Sequence, residues 1–230
     1  MGKRVLVVDI DPQGNATHGI GAHKLGIDKT VYDILMIDEN VEDVKVTLQM
    51  PPLDVLPSTI DLSGADVDMA QYETGREQLL KRKLEAVRNQ YDYIIIDCPP
   101  ALGLLNTNAL TAADSVMIPV QCEYFALEGL TQLLSTIRLV QKLWNPRLSI
   151  EGVLLTMFDV RTKLSVEVQQ EVRKYFKEKV YHCFIPRNVR LSEAPSREQS
   201  IFEYDTRSEG ARAYAQLVKE VVTQNERIKR

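Results

Sequence analysis

Val5-Leu-Val-Val-Asp9-Ile-Asp11-Pro-Gln13-Gly-Asn15-Ala-Thr17 is the stretch that decides the fold. Four consecutive apolar residues bounded by turn chemistry predict a strand buried on both faces of a parallel sheet. In open α/β sheets ligands sit off the carboxyl ends of such strands, so Asp9 and Asp11 fall where chemistry is expected. Short β-type runs recur at Val5–Val8, Asp54–Leu56, Tyr93–Ile96, Ser115–Val120, Gly152–Thr156 and Val180–Ile185. Helical patterns lie between most of them. Leu127, Leu130, Leu133, Leu134, Ile137 and Val140, with Leu143 nearby, form one apolar stripe. Leu164, Val168, Val172 and Phe176 form a second, and Leu217, Val218, Val221 and Val222 close the chain on a last helix. Strands alternating with helices predict βαβ crossovers and a mainly parallel, doubly wound α/β sheet with flanking helices. The segment from Pro51 to Gly75 reads as loops and a short helix on the rim.

The 230 residues, 44% hydrophobic and 26% charged, suit one ordinary domain, taken as residues 1–225 with a basic tail at 226–230. A formal charge of −4 argues against a wholesale polycation and leaves room for local basic patches. No apolar run approaches the roughly 18 residues that span a bilayer, and no signal-peptide core is evident. A cytoplasmic chain is therefore expected. Cys98, Cys122 and Cys183 lack C-x-x-C spacing, so they read as reduced, structurally buried thiols and give no support to an Fe–S site.

The strand Tyr93-Ile-Ile-Ile96 ends in Asp97-Cys-Pro-Pro100. An apolar strand capped by Asp is what a Walker B element needs, because its carboxylate must reach a Mg²⁺-bound water while the strand stays buried. Strands ending in Asp also merely start turns; the presence of the 9–15 motif tips the reading toward function. The loop Ile185-Pro-Arg-Asn188-Val-Arg190-Leu-Ser-Glu193-Ala-Pro195-Ser fixes its backbone with Pro, and Asn188 carries a donor and an acceptor suited to a purine edge.

These stretches, together with Pro119-Val-Gln-Cys-Glu-Tyr-Phe-Ala-Leu-Glu-Gly129 and Leu155-Thr-Met-Phe-Asp-Val-Arg-Thr162, resemble the ParA/Soj-type chromosome-partitioning ATPases, relatives of MinD with a deviant Walker A motif. The resemblance runs from about Gly2 to Val222. It implies ATP and Mg²⁺ as cofactors, with Asp11 positioning the attacking water and Asp97 holding the Mg²⁺ shell through water. Pro186 and Asn188 would contact adenine, and Arg161 and Arg190 would contact DNA. Lys163, Arg187 and Arg197 could add phosphate contacts. The implied partners are DNA bound without sequence preference, a ParB-type protein that stimulates hydrolysis, and a second copy of the chain in an ATP-sandwiched dimer. That points to nucleoid association in the cytoplasm. Membrane targeting of the MinD kind is not expected, because the last helix lacks a bulky apolar face beside a basic one.

One departure is large. The family's Lys-Gly-Gly-x-Gly-Lys-Thr-Thr phosphate loop, with its strand and helix, does not occur within residues 1–230. Phosphoryl transfer rests on such positioning and electrostatics, so the chain as given is expected not to hydrolyse ATP at a family-like rate. A shortened product is the first explanation; a nucleotide-independent DNA- or ParB-binding pseudoenzyme is the alternative. With that strand missing, the strands at Tyr93–Ile96 and Val116–Val120 are expected not to pair with each other.

Overall fold

The Val5–Asp9 run is strand β1 in the computed structural model, which describes residues 2–49, 52–123 and 126–228. The chain divides into two units, Met1–Asp114 with Thr136–Leu148, and Ser115–Ser135 with Ser149–Arg230. In the first unit, β2 (Val46–Gln49), β3 (Pro52–Leu56), β1 and β4 (Tyr93–Asp97) form a sheet in the order 2-3-1-4. Only β2 runs antiparallel. The register sets Asp9 opposite Asp97 at the carboxyl ends of neighbouring parallel strands. Helices α1 (Asn15–Gly19), α2 (Val31–Met36), α3 (Val41–Val44), α4 (Ala65–Ala70), α5 (Leu79–Glu85) and α6 (Leu104–Ala112) accompany this sheet. Its core packs Leu6, Val8, Ile10, Ile34, Leu56, Leu62, Met69 and Leu80. Burying each such large side chain stabilises by about 1.5–3 kcal/mol.

The second unit contains β5 (Ser115–Gln121), β6 (Ser149–Phe158) and β7 (Val180–Pro186), all parallel and in sequence order. Helix α7 (Ala126–Leu143) starts in this unit and ends in the first, and α8 (Lys163–Phe176), α9 (Val189–Ser196), α10 (Ile201–Tyr204) and α11 (Glu209–Ile228) complete the fold. Leu154, Tyr181, Cys183, Ile185 and Leu217 form a core between β6, β7 and α11. Glu220 fastens α11 to β7 by accepting the backbone N–H groups of His182 and Cys183 at 2.8 and 3.3 Å. Gly152 is required where it stands, because a Cβ there would meet the Tyr181 ring at 2.5 Å.

A mainly parallel α/β fold was the expectation, and it holds. Among the described residues β4 pairs only with β1 and β5 only with β6, as expected for these strands. Several local readings are corrected. The β2 strand was not anticipated; β3 bears out the run expected at Asp54–Leu56, but the rest of the Pro51–Gly75 segment is more than rim, since Leu62, Ala65 and Met69 are fully buried. Val168, Val172 and Phe176 of the expected α8 stripe are buried, but Leu164 is exposed and Ser165 takes the buried place at the first turn, its Oγ reaching Cys122 O at 3.3 Å. Leu143 and Val218 are exposed as well. Cys122 and Cys183 are buried as expected, but Cys98 is exposed, following the last residue of β4. Residues 226–228 continue α11 rather than leaving it, and Lys229 and Arg230 of the expected tail lie outside the described residues, as do Tyr124, Phe125 and Pro51 of the quoted motifs.

A buried polar chain joins the ends of β1 and β3 to the start of α1. Asp9 is wholly buried; its Oδ2 accepts Thr17 Oγ1–H at 2.7 Å and Thr17 N–H at 2.8 Å, and its Oδ1 accepts Asp11 N–H at 3.1 Å. Thr17 Oγ1 in turn accepts Ser58 N–H at 3.0 Å, just beyond β3. The turn between them closes through Gly14 N–H to Asp11 O at 2.9 Å. Gly14 has φ +62°, and a Cβ there would press on Ser58 O at 3.0 Å. Thr17→Val removes a bond to a buried carboxylate and strands the Ser58 N–H. We expect a stability loss of about 2–4 kcal/mol in urea unfolding; a loss under about 1 kcal/mol would show that water replaces the hydroxyl.

β4 carries Ile95 at 54% exposure, with a ladder on one side only among the described residues. Unpaired apolar edges promote association. Ile95→Lys should reduce concentration-dependent light scattering while the melt stays cooperative; unchanged scattering would locate self-association elsewhere.

Candidate functional site

The first unit gathers the carboxylates. Asp9 is closed off by three donors and acts as a structural anchor rather than as a ligand. Asp11 is half-buried, and its Oδ1 accepts Gln13 N–H at 2.9 Å, which sets the side chain in the turn beyond β1. Asp97 is the last residue of β4; its carbonyl accepts Ile10 N–H at 2.9 Å, locking the two strand ends together. Asp97 is open to solvent on one side, yet the apolar surroundings of its carboxyl, and then the charges of Asp9 and Asp11, push its pKa up to about 6. None of the three has a cationic side-chain partner among the described residues. With Asp9 occupied by its donors, Asp11 and the solvent-open Asp97, whose charges act on each other, are the carboxyl groups left to meet a hard, oxygen-seeking divalent cation through its water shell. Sequence reasoning identified Asp11 and Asp97 but missed Thr17 and Ser58 and left the anchoring role of Asp9 unstated. The available signal was a Thr one helical turn into the segment after a buried Asp.

The second unit gathers the loops that follow its three parallel strands. Glu123 comes after β5, Asp159 and Arg161 after β6, and Arg187, Asn188 and Arg190 after β7. Pro186 is the last residue of β7. Asn188 is the N-cap of α9, its Oδ1 accepting Arg190 N–H at 2.9 Å, so the group it has left to offer is the amide NH₂, a donor. Arg161 forks onto Asp159, with Nε at 2.9 Å and Nη2 at 2.7 Å from its two oxygens. Arg161 N–H adds a third bond at 2.9 Å. The hydrogen bonds from Arg161, with the charges of Arg161 and Arg187 behind them, hold the Asp159 pKa down to about 2. Arg187 Nη2 lies 2.5 Å from Glu123 Oε1. Arg190 pairs with Glu193 at 2.8 Å and approaches Asp205 at 3.6 Å. The carboxylate partners of these arginines were not anticipated; Glu123 and Arg187 are 64 residues apart in the chain.

Comparison with known proteins gives the family. A family model described as an AAA domain matches residues 1–150. The chain is 61% identical over 221 residues to the sporulation initiation inhibitor protein Soj of Bacillus subtilis, covering 96% of this chain and 87% of that protein. It is 48% identical over 224 residues to the chromosome partitioning protein ParA of Caulobacter vibrioides, covering 96% and 84%. Among solved structures, the cobyrinic acid a,c-diamide synthase of Mycobacterium smegmatis with bound ATP analog and magnesium superposes with a TM-score of 0.83 at 35% identity, over 98% of this chain and 84% of that one. On the sequence motifs, the fold and these likenesses together, the chain belongs to the ParA/Soj family of chromosome-partitioning ATPases.

Proposed function

We propose that the carboxylates at the ends of β1 and β4 are the water-positioning and metal-shell groups of an ATP-hydrolysing DNA-partition protein. The observation that carries this is the Asp9–Asp97 register at the carboxyl ends of adjacent parallel strands, with Asp11 two residues beyond and its charge acting on the Asp97 carboxyl. Asp11, partly shielded and fixed by its turn, orients the attacking water. Asp97, the solvent-open member, accepts hydrogen bonds from metal-bound water. Magnesium, when bound, supplies neutralisation of charge on the transferring phosphoryl group. In the second unit, Pro186 and the Asn188 amide would meet adenine, the NH₂ donating to a ring nitrogen. The exposed guanidinium groups of Arg161 and Arg190 would contact backbone phosphates of DNA without reading sequence. A second copy of the chain sandwiching ATP and a ParB-type protein that triggers hydrolysis are the further partners, with the protein acting on the nucleoid in the cytoplasm. The phosphate cradle of this chemistry is not among residues 1–230, so turnover is assayed in a chain that carries the family's phosphate loop ahead of residue 2. There Asp11→Ala should slow single-turnover hydrolysis by about 10²-fold or more while ATP still binds. An unchanged rate would remove Asp11 from the reaction, and DNA binding indifferent to ATP in that chain would favour a nucleotide-independent DNA binder.

Asp97 gives a pH signature. Its pKa is raised in the folded chain, so the acid form is favoured by folding, and the ionised form is a liability that grows as pH climbs through about 6. Asp97→Asn should therefore raise the melting temperature at pH 8, with the gain shrinking as pH falls and gone below about 4, near the unfolded pKa. Mg²⁺ should narrow the gap at pH 8 by stabilising only the wild type. A gain independent of pH would show that the effect is not electrostatic.

A further inference from the structure

In the second unit the exposed arginines that follow β6 and β7, Arg161, Arg187 and Arg190, each end on a carboxylate. Arg161 is 85% exposed and Arg187 65% exposed as side chains, and their partners Asp159 and Glu123 arise from the neighbouring strand-end loops of the same sheet. Ion pairs this open to water contribute about 0–1 kcal/mol to stability, so the fold does not depend on them. Their geometry is specific nonetheless. The Arg161 fork uses Nε and Nη2 on two oxygens of one carboxylate, the bidentate arrangement by which guanidinium also takes a phosphate. Asp159 lies within the field of Arg187 as well as that of Arg161 and therefore stays ionised far into the acid range. The two arginines and two carboxylates together form a neutral patch on loops that would otherwise present two positive charges.

We propose that Asp159 and Glu123 are tethered counter-ions, one filling the guanidinium fork of Arg161 and the other holding Arg187 by a single bond, that set how tightly this face holds a nucleic-acid backbone. The inference rests on the DNA-binding reading above. Free guanidinium groups bind phosphate by releasing condensed counter-ions to solvent; here each arginine must first part from a carboxylate that remains attached to the chain and repels the incoming phosphate. The face is thereby kept weak and exchangeable, and the affinity ceiling is written into two acidic side chains rather than into the number of arginines.

The test is fluorescence anisotropy, with ATP and Mg²⁺ present, of the chain that carries the family's phosphate loop ahead of residue 2, with a mixed-sequence DNA duplex across a salt series, for the wild type and for Asp159→Asn, Glu123→Gln, the double substitution and Arg161→Ala. Asn at 159 keeps the oxygen that accepts Arg161 N–H, so the turn is retained, and a melting curve checks each variant. Each carboxylate substitution should tighten binding by about two- to fivefold at 0.1 M salt, the free energy typical of an exposed pair. The salt dependence should steepen by roughly 0.9 in slope for every phosphate contact recovered. Arg161→Ala should weaken binding. If Arg161→Ala binds as the wild type does, the DNA-binding reading fails at this residue, and the inference fails with it. If Arg161→Ala weakens binding while Asp159→Asn leaves it unchanged or weakens it too, the reading stands and the inference is overturned, Asp159 being a holder that aims Arg161. Absence of DNA binding even in the double variant overturns both.

Discussion

A carboxylate with no solvent contact holds the first unit in register. A carboxyl group in that position costs several kcal/mol unless donors meet it, and Asp9 is met by the Thr17 hydroxyl, the Thr17 amide and the Asp11 amide. Because Thr17 passes its own acceptor capacity on to Ser58, the end of one strand, the first turn of a helix and the exit of a second strand share one polar chain. Asp11 takes its position from this anchor. The turn that carries it can be short only because Gly14 adopts a left-handed conformation against the Ser58 carbonyl. The candidate water-positioning group is thus held by residues that have no chemistry of their own.

Charge works in opposite senses at the two strand-end clusters. In the first unit burial of the Asp97 carboxyl, and then the like charges of Asp9 and Asp11, raise its proton affinity and make the spot receptive to a cation. In the second unit opposite charges pair off, which lowers the proton affinity of Asp159 and leaves the surface nearly neutral. Both clusters follow from the same feature of parallel sheets: strands that run the same way deliver their loops to one edge.

The strands Val5–Asp9 and Tyr93–Asp97 were legible because each is a continuous apolar run, and their terminal Asp residues stand out against it, even though β4 is less buried than β1. β2 was not, since Val46-Thr47-Leu48-Gln49 is a four-residue alternation at a sheet edge, too short to separate from chance. The α8 face was read correctly at Val168, Val172 and Phe176 and missed only at its first turn, where Leu164 is exposed, because four-residue spacing drifts against a 3.6-residue turn and the Ser165 hydroxyl that finds a carbonyl takes the buried position. The site divides along similar lines. Asp11 and Asp97 were visible as chemistry at strand ends, whereas the closing of Asp9 by three donors and the pairing of Arg187 with Glu123 depend on chain segments brought together only by folding. Burial of Cys98 failed for a related reason: the residue after a strand end belongs to the surface even when the strand belongs to the core.

Asn188 has a role at both ends of its loop. As N-cap it satisfies the Arg190 amide, and losing that bond costs about 1 kcal/mol in a helix of eight residues, which has little stability of its own to spare. Any occupant that rotates the Asn188 side chain uncaps α9, and any that fixes it tightens the cap. Occupancy of the loop and fraying of the helix that bears Arg190 are therefore linked equilibria: the local order of α9 becomes a thermodynamic readout of what sits against one amide.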